Sequence, residues 1–155
     1  MKALKQLYLP EFVYGGIDGV ITTFAVVAGS AGANLDTRII IILGLANLLA
    51  DGLSMAVGCF LSSGRDDRMM QAFVTYVSFL AVGLVPLLPY MLGYSAGFGL
   101  SIICTAIGMT LIGWTKSVVL KQPLIKTIST TLLLGLCAAL VAYGVGDILD
   151  KIVSS

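Results

Sequence analysis

The sequence predicts an all-α integral membrane protein with five transmembrane helices. Hydrophobic residues make up 58% of its 155 residues and charged residues only 11%. The mean hydropathy is +1.03, which is far above that of soluble domains. Five apolar runs are each long enough to cross a bilayer as a helix. The predicted helices cover roughly residues 11–33, 38–62, 69–91, 96–115 and 124–146, within a single transmembrane domain of residues 1–155.

Pro10 and Glu11 mark the start of the first helix. Proline lacks the N–H that would have no acceptor in a first helical turn, and an acidic residue there is favoured by the helix dipole. The apolar run continues to about Ala33, and residues 34–37 form a tight turn. The second helix follows this turn and ends near Ser62.

Charged loops and prolines delimit the remaining helices. Residues 63–68 include four consecutive charged side chains, which predicts a solvated loop. Pro86 and Pro89 lie near the far end of the third helix, where a proline kinks or ends a helix. A turn with glycine and serine at residues 93–99 leads to a fourth helix that is short for a membrane span. Pro123 begins the fifth helix.

The lysines and arginines are unequally divided between the two ends of the predicted bundle. Seven lie in the N-terminal segment and in the connections after the second and fourth helices, and two lie on the opposite side. Basic residues concentrate on the cytoplasmic side of membrane proteins, so we predict a cytoplasmic N-terminus and an odd number of helices. The seven are Lys2, Lys5, Arg65, Arg68, Lys116, Lys121 and Lys126, and the two are Arg38 and Lys151.

The residue pattern argues against several classes of function. We find no nucleophile paired with a base, no phosphate-binding loop and no dinucleotide motif, so we predict no enzyme activity and no resident cofactor. No basic block suits nucleic acid. The three cysteines lie in apolar runs without CxxC spacing, which argues against a disulfide framework.

Polar side chains interrupt the apolar runs of the first two helices. Asn47, Asp51, Met55 and Cys59 follow one another at intervals of four residues, so they share one face of the second helix. Asp18 lies in the otherwise uncharged middle of the first helix and is flanked by glycines. The two aspartates therefore place carboxyl groups at membrane depth.

These buried carboxyl groups favour a cation site. An aspartate in the bilayer costs on the order of 2.5–3.5 kcal/mol on insertion scales, which a protein rarely tolerates without a use. The alternative is that Asp18 and Asp51 are protonated and only form hydrogen bonds between helices. In a cation site, a divalent metal and protons compete for the same oxygens. This competition is the physical basis of metal–proton exchange.

The other donor groups bear on which ion is bound. A thioether from Met55 favours first-row transition metals over Mg²⁺ or Ca²⁺, although ordinary packing is an alternative role for Met55. Packing is the interpretation we give to Cys59 and the other cysteines. The chain has no histidine, which argues against a typical Zn²⁺ or Cu²⁺ site. Glu11 lies two turns before Asp18 on the same face, where it either receives the cation first or interacts with the helix dipole.

Small residues recur at close-packing spacing in several helices. They predict tight helix contacts and only weakly support association of two chains. The pairs are Gly15 with Gly19, Ala28 with Gly32, Gly52 with Ala56, and Gly135 with Ala139.

Two motifs in these helices resemble the vacuolar iron transporter family. They are YGGIDGVITTFAVVAG at residues 14–29 and GLANLLADGLSMA at residues 44–56. The GLVPLLP run at residues 83–89 and the YGVG sequence at residues 143–146 are also similar to the family, so the resemblance covers nearly the whole chain.

The resemblance implies a five-helix homodimer that exports Fe²⁺ or Mn²⁺ from the cytoplasm in exchange for protons, with the pathway along the dimer axis. It implies that Asp18 and Met55 line this pathway. Asp51 and Asn47 belong to the same motif of the second helix, and Glu11 matches an acidic position near the start of the first. The expected partners are therefore a second copy of the chain, divalent metal ions, protons and the lipid bilayer.

The chain differs from the family pattern in one respect, and this difference is the reason to consider other functions. Many relatives carry a glutamate-rich metal-binding domain between the second and third helices, whereas this chain has only a short link at residues 62–68. A membrane scaffold or regulatory subunit that does not transport is one alternative, and a passive cation channel is another. We expect a prokaryotic plasma membrane as the location, with a vacuolar membrane as the alternative.

Overall fold

The computed structural model describes residues 8–94 and 97–154 of the chain. Within these ranges, five helices are long and apolar enough to cross a membrane, which confirms the predicted all-α membrane fold. The helices are α1 (Leu9–Gly32), α2 (Thr37–Ser62), α3 (Arg68–Gly83), α4 (Leu88–Met91), α5 (Gly97–Leu120) and α6 (Leu124–Val153). Together, α3 and the short α4 form the third span.

α1 is the central helix of the bundle. It contacts α2, α3, α5 and α6, and 50% of its apolar stretch is buried, compared with 17% of the stretch in α6. Its glycines allow neighbouring helices to approach its backbone closely. A Cβ atom added at Gly19 would lie only 3.0 Å from the Cα atom of Phe79 on α3. The side chains carried by α1 are therefore held in fixed positions relative to its neighbours.

The third span is interrupted where the sequence places its two prolines. α3 ends at Gly83, a 3₁₀ turn covers Val85–Leu87, and α4 follows. Each proline lacks an N–H and cannot donate the backbone hydrogen bond of a continuous helix. Next to this interruption, the hydroxyl of Ser101 on α5 donates to the carbonyl oxygen of Pro86 at 2.7 Å, in a buried position. This bond ties the break in the third span to α5.

The fourth span is longer than predicted. The sequence suggests a helix over residues 96–115, of which residue 96 lies outside the described part of the chain. α5 runs to Leu120 and so includes Lys116. A lysine is tolerated inside such a helix because its aliphatic stem lies along apolar surface while its ammonium group reaches a polar region. The helix ends where Lys121 adopts a positive φ of 51°.

The fifth span also extends past its predicted end at residue 146. Gly146 is a packing position and not a stop, since a Cβ atom added there would lie 3.0 Å from the backbone nitrogen of Ala33. α6 continues to Val153, and an ion pair of 2.6 Å joins Asp147 to Lys151 across one further turn. Asn34, in the turn between α1 and α2, donates to Asp150 at 3.2 Å.

The small residues noted in the sequence pack mainly within one chain. Gly15 and Gly19 meet α3, Gly32 meets Tyr143 of α6, and Gly135 meets Met109 of α5. Gly52 of α2 faces the rings of Phe79 and Tyr76. These contacts form the helix crossings that give the bundle its shape.

Candidate functional site

A cavity of about 500 Å³ lies at the end of the bundle that carries the loop between α2 and α3. We call it the loop-end cavity. The start of α1, the last turns of α2 and one residue of α3 form its walls. Its lining residues are Pro10, Glu11, Tyr14, Met55, Gly58, Cys59, Ser62 and Thr75.

The helices around the loop-end cavity are held together by close contacts. A Cβ atom added at Gly15 would lie 2.5 Å from the carbonyl oxygen of Thr75, so α1 and α3 touch at this point. Oγ1 of Thr75 in turn lies 3.8 Å from the sulfur of Cys59 on α2. Glu11 is one helical turn before Gly15. Three helices therefore meet where the cavity opens.

Glu11 has an unusual environment for a carboxylate. One of its carboxylate oxygens, Oε2, is buried and has no hydrogen-bond partner among the described residues. A buried polar atom without a partner costs free energy, and a charged one costs more. A bound cation or a proton would satisfy this oxygen.

Asp18 lies further along α1 and lines a second cavity. This side cavity measures about 290 Å³ and lies between α1 and α5. Its walls include Tyr14, Lys116 and apolar side chains of both helices. The Asp18 side chain is partly buried, and the hydroxyl of Thr22 donates to its backbone carbonyl at 2.8 Å. Asp18 and Lys116 thus line the same cavity.

The polar groups of α2 form a pair. The amide nitrogen of Asn47 donates to Oδ2 of Asp51 at 2.9 Å, across one helical turn. Asp51 lies on α2, which contacts the α1 helix that carries Asp18. Two contacting spans therefore each carry an acid within their apolar stretch.

The surface loop beside the loop-end cavity is ordered by an ion pair. The guanidinium group of Arg65 donates to both carboxylate oxygens of Asp67, at 2.9 and 3.0 Å. A hydrogen bond from Tyr8, and then the contact with Arg65, hold the pKa of Asp67 below its ordinary value. Tyr8 precedes α1, so this contact joins the start of α1 to the loop.

The structure distributes the five predicted site residues over three places. Glu11 and Met55 share the loop-end cavity, Asp18 lines the side cavity, and Asn47 is bonded to Asp51 on α2. In the described part of the chain, no three His, Cys, Asp or Glu side chains come together as a metal cluster. The described residues of one chain therefore distribute the acids over separate places and do not surround an ion with them.

Two residues that line these cavities are outside the set of predicted ligands. Cys59 lies one turn after Met55 on the polar stripe that the sequence predicts, but its predicted role is packing. Lys116 lies inside α5, whereas the predicted fourth helix ends at residue 115 and leaves Lys116 in the connection. If the fourth helix is given the same length as the other predicted spans, it includes Lys116.

Comparisons with known proteins agree on one family. A family model described as the VIT family matches residues 9–71 and 63–147. A vacuolar iron transporter of Toxoplasma gondii is 42% identical over 65 residues, which are 42% of this chain and 22% of that protein. A vacuolar iron transporter of Plasmodium falciparum is 40% identical over 64 residues, 41% of this chain and 23% of that protein. The matched part of this chain thus spans under a quarter of either parasite protein.

Plant relatives match over a longer stretch at lower identity. Vacuolar iron transporter homolog 4 of Arabidopsis thaliana is 25% identical over 164 aligned residues, which cover 90% of this chain and 83% of the plant protein. Homolog 3 of the same plant is 26% identical over the same alignment length. The similarity to these plant proteins therefore extends over nearly all five spans.

Proposed function

Because this chain belongs to the VIT family, we propose that it is a multi-pass membrane transporter that carries divalent iron or manganese. The observation that carries the proposal is the presence of one acid, Asp18 and Asp51, within each of two contacting apolar spans. Such acids are costly in a membrane unless they bind a cation or a proton. Several relatives are named vacuolar iron transporters, which supports iron as one substrate.

Exchange of metal for protons follows from the same two acids. When a divalent ion leaves, Asp18 and Asp51 would remain as two adjacent charges of the same sign, and protonation removes that repulsion. Metal and protons then occupy the site alternately. The basic residues near the α2–α3 loop and around the end of α5 support a cytoplasmic position for this end of the bundle. We therefore propose export of metal from the cytoplasm.

Flux into proteoliposomes tests this proposal. With an acidic interior, we expect uptake of Fe²⁺ and Mn²⁺ that exceeds uptake of Ca²⁺ and is accompanied by loss of internal protons. Removing the pH difference should slow uptake severalfold. Uptake that ignores the pH difference would indicate a passive channel. An absence of uptake, in protein that melts cooperatively, would favour a scaffold or regulatory subunit.

A second copy of the chain would complete the site. One row of small residues on α2 is exposed in the single chain, unlike Gly52, which packs against α3. This α2 small-residue row consists of Ala46, Ala50, Ser54 and Gly58. Each member is one residue before a member of the polar stripe. Small residues at this spacing allow two membrane helices to approach closely, so pairing along the row would bring the acids of two chains together.

Ala50→Trp is expected to prevent this pairing, because a large ring cannot fit in a close helix crossing. Light scattering after size exclusion should give the mass of two chains for the wild type and of one chain for the variant. Leu140→Trp is the matched control, since Leu140 is exposed on α6 away from the row and its variant should keep the wild-type mass. An unchanged mass for Ala50→Trp would exclude a dimer that uses the row.

A further inference from the structure

We infer that Cys59 is a metal ligand, and that together with Glu11 and Met55 it makes the loop-end cavity a capture site for softer divalent ions such as Fe²⁺. This inference deepens the proposed function, on which it rests, because it adds a ligand and an ion class to the transport pathway. It is separate from Asp18, which lines the other cavity.

The first argument is the set of metal-binding groups that line the loop-end cavity from two helices. Glu11 comes from α1, whereas Met55 and Cys59 come from α2, where they are four residues apart and therefore stacked one turn above each other. Carboxylate, thioether and thiolate are three of the ligand types that proteins use for transition metals. The carboxylate also has a buried oxygen that lacks a partner within the described residues. The cavity therefore has two sulfur atoms and a carboxyl group in its lining.

The second argument is the position of the sulfur atom. Cys59 is only partly buried, and the Thr75 hydroxyl beside it lies 3.8 Å from Sγ. Thr75 itself is fully buried and donates its hydroxyl proton to the carbonyl oxygen of Gln71 at 2.9 Å. A buried polar group on α3 is thus the neighbour of the sulfur at the cavity wall. In the single chain the wall is open next to it, since a Cβ atom added at Gly58, a member of the α2 small-residue row, would meet no atom within 4 Å.

The third argument concerns the charge of the bound ion and the volume of the loop-end cavity. On binding, the Cys59 thiol would release its proton to water and coordinate as a thiolate. Together with the Glu11 carboxylate, it would balance the two charges of the metal. A cavity of about 500 Å³ is large enough for the ion and several water molecules. The ion therefore enters still partly hydrated and exchanges only some of its water for protein ligands.

These three ligands determine which ions the site prefers. Ca²⁺ and Mg²⁺ bind oxygen ligands, and sulfur adds little to their affinity. Among first-row ions, Fe²⁺ binds more tightly than Mn²⁺ to a given set of donors, and sulfur ligands widen that difference. The site therefore prefers Fe²⁺ over Mn²⁺ and strongly over Ca²⁺. Cd²⁺, a soft ion with an ultraviolet thiolate charge-transfer band, is a suitable probe.

The test is a Cd²⁺ titration of the purified full chain, with Cys59→Ser compared with Cys104→Ser and Cys137→Ser. The two control cysteines are on α5 and α6. We expect a charge-transfer band in the wild type and in both controls, and no band in Cys59→Ser. Competition should also show at least about a tenfold loss of Fe²⁺ affinity in Cys59→Ser, with Mn²⁺ much less affected.

A band that persists in Cys59→Ser, or that disappears in one of the controls, would overturn the inference, as would a wild type without a band. A second measurement guards against misfolding of the serine variant. In a chain with only Cys59 retained, Cd²⁺ should protect the thiol from maleimide and Ca²⁺ should not. If Cys59→Ser loses the band but the wild-type protein transports no metal, the proposed function is refuted and this inference is not. Normal coupled transport with unprotected Cys59 would refute only this inference.

Discussion

Asp18→Asn is expected to abolish metal transport while leaving the protein folded. Asparagine has the shape of aspartate and keeps its hydrogen-bonding capacity, but it carries no charge and cannot exchange a proton at neutral pH. The variant would remove the carboxyl group in the middle of α1 and leave that of Asp51 on α2. We expect Fe²⁺ uptake into proteoliposomes to fall at least about tenfold, equivalent to roughly 1.4 kcal/mol, and proton release to fall with it.

The stability of Asp18→Asn separates this role from a structural one. Removing a carboxyl group at membrane depth also removes its insertion cost, so the thermal midpoint should stay the same or rise. Asp66→Asn is the matched control, because Asp66 is exposed in the loop between α2 and α3, and it should transport at close to the wild-type rate. Wild-type uptake by Asp18→Asn would contradict the proposed pathway.

Gly19→Ala is expected to destabilise the bundle by about 3 kcal/mol, the upper part of the usual range for overpacking. The added methyl group would meet the backbone of Phe79, which cannot rotate away as a side chain would. Gly83 faces the same crossing from α3, since a Cβ atom there would lie 2.9 Å from the carbonyl oxygen of Gly19. The α1–α3 contact therefore depends on glycine in both helices.

Thermal unfolding in detergent measures this effect. Gly144→Ala provides the control, because a Cβ atom at Gly144 on α6 meets nothing within 4 Å. Replacing glycine by alanine inside a helix is otherwise neutral or stabilising by up to about 1 kcal/mol. We expect Gly144→Ala to melt at or above the wild-type temperature and Gly19→Ala well below it. Equal midpoints for the two variants would show that α1 and α3 can separate at little cost.

The polar groups of the candidate site could be chosen from the sequence. Asp18, Asp51 and Asn47 are conspicuous because a bilayer penalises polar atoms at each position independently of the rest of the fold. Helical periodicity also placed Asn47, Asp51, Met55 and Cys59 on one face of α2. Periodicity defines a face but does not identify the helix opposite to it. Helical periodicity therefore could not predict that Glu11 and Met55 line one cavity and Asp18 lines another.

The five membrane helices and the polar residues in them can be predicted from the amino-acid sequence, because span length and the cost of polar groups depend on local composition alone. Helix packing settles which small residues are used within the chain and that Lys116 shares a cavity with Asp18. In a bilayer, surfaces that face lipid and surfaces that face other helices are both apolar. Hydropathy consequently does not distinguish Gly52, which packs inside, from Ala50, which is exposed.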